Sequence, residues 1–397
     1  MKHSKLVFRW ILVIVAVVGF SIASVSLWGE KPEKTELPTL ADISVEQTAV
    51  EIASRHALPL GVVLKALAID SAQAATTPLA QTGLTIEQAK SRLTKALVKN
   101  NEESTKNWRK IAAKFLLWFA LLPVPFILLR RKTLTPKRRL WMAGVSVAVF
   151  GIGLGADPSP MGTVKDAVFL LTAHGTVFWP RIIAFTVFML TVIVANKFIC
   201  SWGCQFGMLQ EFIFRLNRNK HDNKPRWRQY KPPFWLSNLT RFVVFGAAAL
   251  FGLLWSLDII GLIDPFKIYN PLMVTAIGGA FILTVLIASV FVYRPWCHFA
   301  CPFGLLSWFG EKASIFRIRV DDNKCTNCRA CAIGCPSHAM TAILDKHKTR
   351  PDCFACGVCI NVCPEDAVSF SARAPKMSES ESTGSPRPKA TVETKRS

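Results

Sequence analysis

The chain has 397 residues, 51% of them hydrophobic, and 48 Lys and Arg against 26 Asp and Glu give a net charge of +22. That length would suit two or three soluble domains, but with a mean hydropathy of +0.31 the composition points to a membrane protein instead. The charge raises the question of nucleic-acid binding, and its placement argues against it: the basic residues fall between apolar segments rather than on one continuous surface.

Crossing a bilayer takes about 20 apolar residues, with roughly 17 to 25 tolerated. Six segments meet or approach that length: 8–28, 111–129, 140–156, 182–199, 242–263 and 272–293. The second carries Lys114, Pro123 and Pro125, and the third is short and glycine-rich. Basic residues crowd the N-terminus (Lys2, Lys5, Arg9), the second-to-third connection (Arg130, Arg131, Lys132, Lys137, Arg138, Arg139) and the fourth-to-fifth connection (Arg215 to Lys231). The alternate connections are poor in them, with Lys165 alone in 157–180 and Lys267 alone in 264–270. Because short cytoplasmic loops carry the excess of Lys and Arg, the pattern predicts six spans with both ends in the cytoplasm of a bacterial cell, in its inner membrane. The first span reads as an uncleaved anchor (1–28). A signal-peptide reading, with Lys2 and Lys5 as n-region and Ser21 to Ser26 as c-region, leaves the next segment outside all the same.

Segment 29–110 is then the sizeable outer part. Ser44 with Gln47 and Thr85 with Gln88 match the capping-box pattern, and apolar residues recur at helical spacing after each. A stretch rich in Ala, Thr and Pro at 72–81 reads as a linker. The unit lacks a ligand set, a nucleotide loop and an acid pair, so it reads as a structural or docking element. The membrane core covers 111–320, a compact ferredoxin module 321–370, and a polar tail expected to be disordered 371–397. The expected fold is mostly α, with about six transmembrane helices plus a small α+β two-cluster ferredoxin module.

All twelve cysteines fall in four short motifs. Eight make two runs, Cys325-x-x-Cys328-x-x-Cys331-x-x-x-Cys335-Pro336 and Cys353-x-x-Cys356-x-x-Cys359-x-x-x-Cys363-Pro364. Thiolate suits iron–sulfur clusters, and in two-cluster bacterial ferredoxins the fourth cysteine of each run serves the other cluster. The spacing therefore predicts one [4Fe–4S] cluster on Cys325, Cys328, Cys331 and Cys363, and a second on Cys353, Cys356, Cys359 and Cys335. Structural zinc, the competing reading, needs no third and fourth cysteine before proline. The predicted topology puts every cysteine on the reducing side, where thiols stay free for iron.

Cys200-Ser-Trp-Gly-Cys204 and Cys297-His-Phe-Ala-Cys301-Pro302 follow the fourth and sixth spans and continue alike, as Gln-Phe-Gly207 and Pro-Phe-Gly304. The two halves look like an internal repeat that could gather four thiols. Reactive, metal-binding and merely buried cysteines stay open here. These four are also the candidates for any catalytic role. Lys165, Asp166, His174 and Asp258 are weaker candidates for a quinol site, since each alone reads as an interfacial charge. Haem-attachment, dinucleotide and phosphate-loop motifs are absent.

With these motifs the chain resembles the membrane polyferredoxin, or 4Fe-4S binding, family of respiratory electron transfer (NapH/NosR-like quinol dehydrogenase membrane components). The resemblance covers 140–370 and rests on Asp157-Pro-Ser-Pro-Met-Gly-Thr-Val-Lys165-Asp166, the two Cys-x-x-x-Cys pairs and the ferredoxin runs. It implies electron transfer between membrane quinol and a redox partner protein, with lipid as the solvent of the core. Two departures stand out. Gln205 replaces the first proline of the Cys-x-x-x-Cys-Pro pattern, and the outer segment is too short for the flavin-binding domain of larger relatives. Two other functions compete: a membrane reductase serving metalloenzyme assembly or metal-ion reduction, and a scaffold with structural clusters. Against the former, segment 29–109 has no cysteine and only His56.

The topology predicts opposite sidedness for reporter fusions at Gln81 and after Phe370. Cytoplasmic reporter activity at Gln81 would overturn the six-span arrangement.

Overall fold

In lipid, the backbone must satisfy its own hydrogen bonds, which leaves helix as the solution for long apolar runs. A computed structural model describes residues 2–28, 43–44, 46–56, 58–69, 76, 78–82 and 84–372. Among them three helices are long and apolar enough to cross a membrane, Ser4–Leu27, Trp108–Arg130 and Phe234–Trp255, and Trp179–Ala195 and Ala276–Phe291 are shorter apolar helices. At 1.5 Å per residue the three long ones reach roughly 33–36 Å, enough for a hydrocarbon core of about 30 Å.

The expected elements differ from these in instructive ways. Segment 140–156 forms helix Pro136–Ser146, running on into a π-helical turn at Val147–Gly153. There the Tyr269 ring lies where a side chain at Gly151 would stand. The fifth span starts earlier than expected, at Phe234, and stops at Trp255, where Ser256 turns left-handed with φ of 52°. Its first turns carry Ser237 and Arg241, polar but buried, and so hidden from a hydropathy reading. Connection 157–180, expected to be an outer loop, holds helix Pro160–His174. Ser159 Oγ accepts from Gly162 N at 3.0 Å, Pro160 takes the first position, and left-handed Gly175 ends it. This helix packs against Trp179–Ala195, Phe234–Trp255 and Pro302–Lys312.

In the segment expected outside, Thr48, not Ser44, caps the first helix. Thr48 and Glu51 exchange the reciprocal bonds of a capping box over Ala49–Arg55, while Ser44 and Gln47 close only a turn. Thr85 and Gln88 cap Ile86–Ser104 as expected. Ile52, Val63, Leu67 and Leu93 form the core of this unit. Most of the linker reading at 72–81 and the tail from 373 lie outside the described residues.

Strands Arg317–Val320 and Val368–Ser371 pair antiparallel, Arg317 opposite Ser371, and close the C-terminal module around helices Ala330–Gly334, Ala339–Leu344 and Val358–Asn361. The first strand precedes the expected boundary at 321. Phe370 joins Phe126, Phe198 and Phe316 in an aromatic cluster against the helix ends. The basic connections reach the same module: Lys132 pairs with Asp366 at 2.7 Å, Arg218 donates to Gly334 O at 2.9 Å and Lys231 to Ala332 O at 3.0 Å.

Two fully buried carboxylates lie near the junction, one within the core and one bridging core and module. Glu211 accepts from Arg139, Arg294, Arg215 (2.8 Å) and the Tyr293 hydroxyl (2.8 Å). Asp352, inside the module, pairs with Lys197 and with Arg241 at 2.9 Å, and His298 lies 3.6 Å away. Removing one partner of a buried pair costs about 3–5 kcal/mol, because the remaining charge is left unpaired. Glu211→Gln should therefore lower the thermal unfolding midpoint in detergent by several degrees. An unchanged midpoint would show that this cage contributes nothing to stability.

Candidate functional site

Tight turns wrap each ferredoxin run back on itself: Asn327, Arg329 and Ala355 take left-handed backbone, as does Gly357 with φ of 78°. The chain reversals bring distant cysteines together. Cys325, Cys328, Cys331 and Cys363 line one small cavity with Leu344 and Val368. Cys335, Cys353, Cys356 and Cys359 line another with Tyr293, Ile318, Met340 and Phe354. Each cavity thus draws three cysteines from one run and one from the other. Neither has a histidine in its lining, and none of the twelve cysteines is in a disulfide. Among the described residues no three His, Cys, Asp or Glu side chains close on a single ion. A set of four soft sulfurs spread around a small apolar cavity fits a multi-iron cluster better than a mononuclear zinc site.

The surroundings of the second cavity were not legible in the sequence. Phe354 packs edge-on against Tyr293 at 5.6 Å and against His298 at 5.5 Å, and Arg294 lies over its face at 5.0 Å. Arg139 donates to the Cys356 carbonyl. Burial opposes ionisation of Asp352, but Lys197, Arg241 and His298 outweigh it and hold its carboxyl below the usual carboxylate range.

Cys200, Cys204, Cys297 and Cys301 are all buried in the membrane core, just beneath this junction. Cys204 and Cys301 open helices Gln205–Leu216 and Pro302–Lys312. Gln205 keeps a use of its own, donating to Ala156 O at 2.8 Å.

At the opposite end, Lys165 contacts Asp166 at 2.9 Å, Asp258 at 3.2 Å and Asp264 at 3.6 Å. Arg181 joins Asp166 to Glu102 of the outer segment, and Lys106 lies 3.7 Å from both Glu102 and Asp157. Three of the four weaker candidates are thereby brought together. His174 is not among them, its ring standing edge-on to Phe169 at the end of its helix. Sequence reasoning missed Glu102, Arg181 and Asp264, which come from three separate connections. Burial pushes the Asp264 carboxyl up to about 6, with Lys165 pulling the other way. Beside this network a cleft is lined by Trp108, Ile111, Phe115, Phe178, Asp157 and Arg181, among others.

The comparisons bear on the same segments. The 4Fe-4S dicluster domain family matches residues 317–378, and a second family, described as a 4Fe-4S binding domain, matches 177–223 and again 274–319. Ferredoxin-type protein NapH of Escherichia coli strain K12 is 26% identical over 228 residues, 53% of this chain and 75% of its own length. These matches support a NapH-like polyferredoxin family for the chain. Iron–sulfur clusters are the cofactors that its family matches support. Other relatives are YccM of the same organism, 30% identical over 201 residues, 47% of this chain and 55% of the relative, and NirI of Paracoccus denitrificans, 25% identical over 261 residues, 60% of this chain and 37% of the relative. The chain thus spans about half the length of YccM and less of NirI. No solved structure gives a significant match.

Proposed function

We propose that this chain is an integral membrane electron carrier between the quinone pool and a partner reductase, with six spans in the bacterial inner membrane and the ferredoxin module in the cytoplasm. The observation that carries the proposal is the pair of four-cysteine cavities fixed against the basic ends of apolar helices. Cys325, Cys328, Cys331 and Cys363 hold one [4Fe–4S] cluster, and Cys353, Cys356, Cys359 and Cys335 the other. When bound, the clusters supply one-electron redox chemistry, tuned by burial and by hydrogen bonds to sulfur. Ala367 N, for instance, donates to Cys363 Sγ at 3.3 Å. Asp352 keeps the module seated through Lys197 and Arg241, Glu211 braces the core beneath it, and Tyr293 and Phe354 exclude water from the second cavity.

For the quinol end, the cleft at Trp108 offers flat aromatic walls with a carboxylate and a guanidinium at its edge. Quinol oxidation releases two protons with its two electrons, so a site needs a proton acceptor beside an apolar wall. Asp157 fills that role, and the Lys165, Asp166 and Asp258 network leads protons away toward water. A partner protein accepts or supplies electrons at the exposed edge of the first cavity, where Cys328 reaches the surface. NapH carries the description ferredoxin-type, which agrees with a carrier rather than a complete reductase.

Two experiments test the reading. Cys335→Ser and Cys353→Ser should perturb one and the same centre in low-temperature EPR, leaving the other centre intact. Distinct altered centres would refute the crossed ligand assignment. Purified protein with intact clusters should exchange electrons with a quinol analogue, seen as bleaching or recovery of cluster absorbance. Asp157→Asn should slow that exchange by about a hundredfold, the usual size of a lost acid–base group. Wild-type clusters that neither reduce nor oxidise across a range of quinone potentials would remove quinol and leave a protein donor as the account.

A further inference from the structure

The two matches to the 4Fe-4S binding domain family pose a problem of stoichiometry. Residues 177–223 contain only Cys200 and Cys204, and residues 274–319 only Cys297 and Cys301. Neither half holds the four sulfurs that a cubane cluster takes from protein.

The fold places the two halves in equivalent local structures. The second cysteine of each pair caps a helix, Cys204 that of Gln205–Leu216 and Cys301 that of Pro302–Lys312. Three residues on, each helix has a glycine pressed onto the carbonyl of the first cysteine. A side chain at Gly207 would stand 3.1 Å from Cys200 O, and one at Gly304 2.8 Å from Cys297 O. Gly304 N donates to Cys301 Sγ at 3.4 Å, and a side chain at Gly207 would stand 3.5 Å from Cys204 Sγ. Proline at the first helical position is tolerated because that residue's N–H has no helical partner anyway. Gln205 in place of Pro302's counterpart is therefore compatible with a helix that still opens at Cys204, although of the two only Cys301 accepts a capping hydrogen bond at its sulfur.

The halves also meet. Each of the four thiols is close enough to interact electrostatically with the other three. Gln210 Nε2, on the first half's helix, lies 3.7 Å from Cys297 Sγ on the second. Arg294, also paired with Glu211, donates to Cys200 O and Ser201 O and so ties the second half to the first half's cap. Lys197 donates to Gly304 O at 2.9 Å, the reciprocal contact. A set of buried thiolates needs such cations to be tolerated at all.

We infer that Cys200, Cys204, Cys297 and Cys301 together form a third iron–sulfur site, a [4Fe–4S] centre shared by the two pseudo-equivalent halves of the membrane core. Inert buried cysteine, the ordinary alternative, does not account for four thiols gathered from two repeated caps with N–H donors and cations around them. A single zinc or copper ion does not fit either, since no three of these side chains close on one ion. The site lies between the two ends already described. Pro302 lines a small cavity with Lys165 and Asp258, while Tyr293, next to Arg294, lines the second ferredoxin cavity. The assignment stands whether or not quinol is the substrate.

Full-length protein purified anaerobically should contain about 12 iron and about 12 sulfide per chain, four of each per [4Fe–4S] centre. Cys200→Ala with Cys204→Ala, and separately Cys297→Ala with Cys301→Ala, should each remove the same one-third of the iron and the same Mössbauer component. The ferredoxin signals should persist in both. About eight iron in wild type, zinc or copper in place of the missing iron, or retention of all centres after loss of either pair would each overturn the site. Should the variants fail to fold, the wild-type iron count and Mössbauer component intensities decide by themselves.

Discussion

Glu211 and Asp352 are carboxylates with no exposed surface, each surrounded by cations drawn from parts of the chain far apart in sequence. Burying such groups gains little net stability, since desolvation offsets most of the attraction. Their value is positional. Arg139, Arg215 and Arg294 come from three different helices or turns and must all converge on Glu211, while Lys197 and Arg241 must converge on Asp352. The Asp352 cage fixes the placement of the ferredoxin module on the membrane core, while the Glu211 cage ties the core's own helices together beneath it. That placement seats the cavity of Cys335 and Cys353 beside Tyr293 and Arg294, above the buried thiols of the core.

The same constraint explains the charge of the chain. Lys132, Arg139, Arg218 and Lys231 belong to the basic connections from which an orientation is expected, and each also ends on the module through a carboxylate or a carbonyl. Orientation and docking use one set of residues. Four of the basic side chains thus have a use inside the protein.

Much of this was legible beforehand because the relevant signals are local. The ferredoxin runs announce their ligands through spacing alone, and the Thr85 and Gln88 box marks its helix from four residues. The helix at Pro160–His174 was missed although Ser159, Pro160 and Gly175 supply both of its ends, since its mixed polarity hid it from a search for spans. Ser44 with Gln47 and, immediately after, Thr48 with Glu51 fit the same capping pattern, and only the fold shows that the second caps the helix. The ion cages were beyond reach for a different reason. Arg215 is four residues from Glu211 on one helix, but Arg139 and Arg294 are 72 and 83 residues away, and no periodicity links those two to it. What made Cys200 and Cys297 suspicious, their repeated context, is also what the two helix caps turn into geometry.

Electron passage between the lipid phase and the ferredoxin face is the central claim. It is tested most directly in proteoliposomes carrying quinol in the bilayer and a membrane-impermeant redox dye outside. The account predicts dye reduction by the fraction of protein whose module faces outward, abolished when that module is removed by protease before quinol is supplied. Equal dye reduction after protease treatment, or none from vesicles whose protein retains all its clusters, would contradict it.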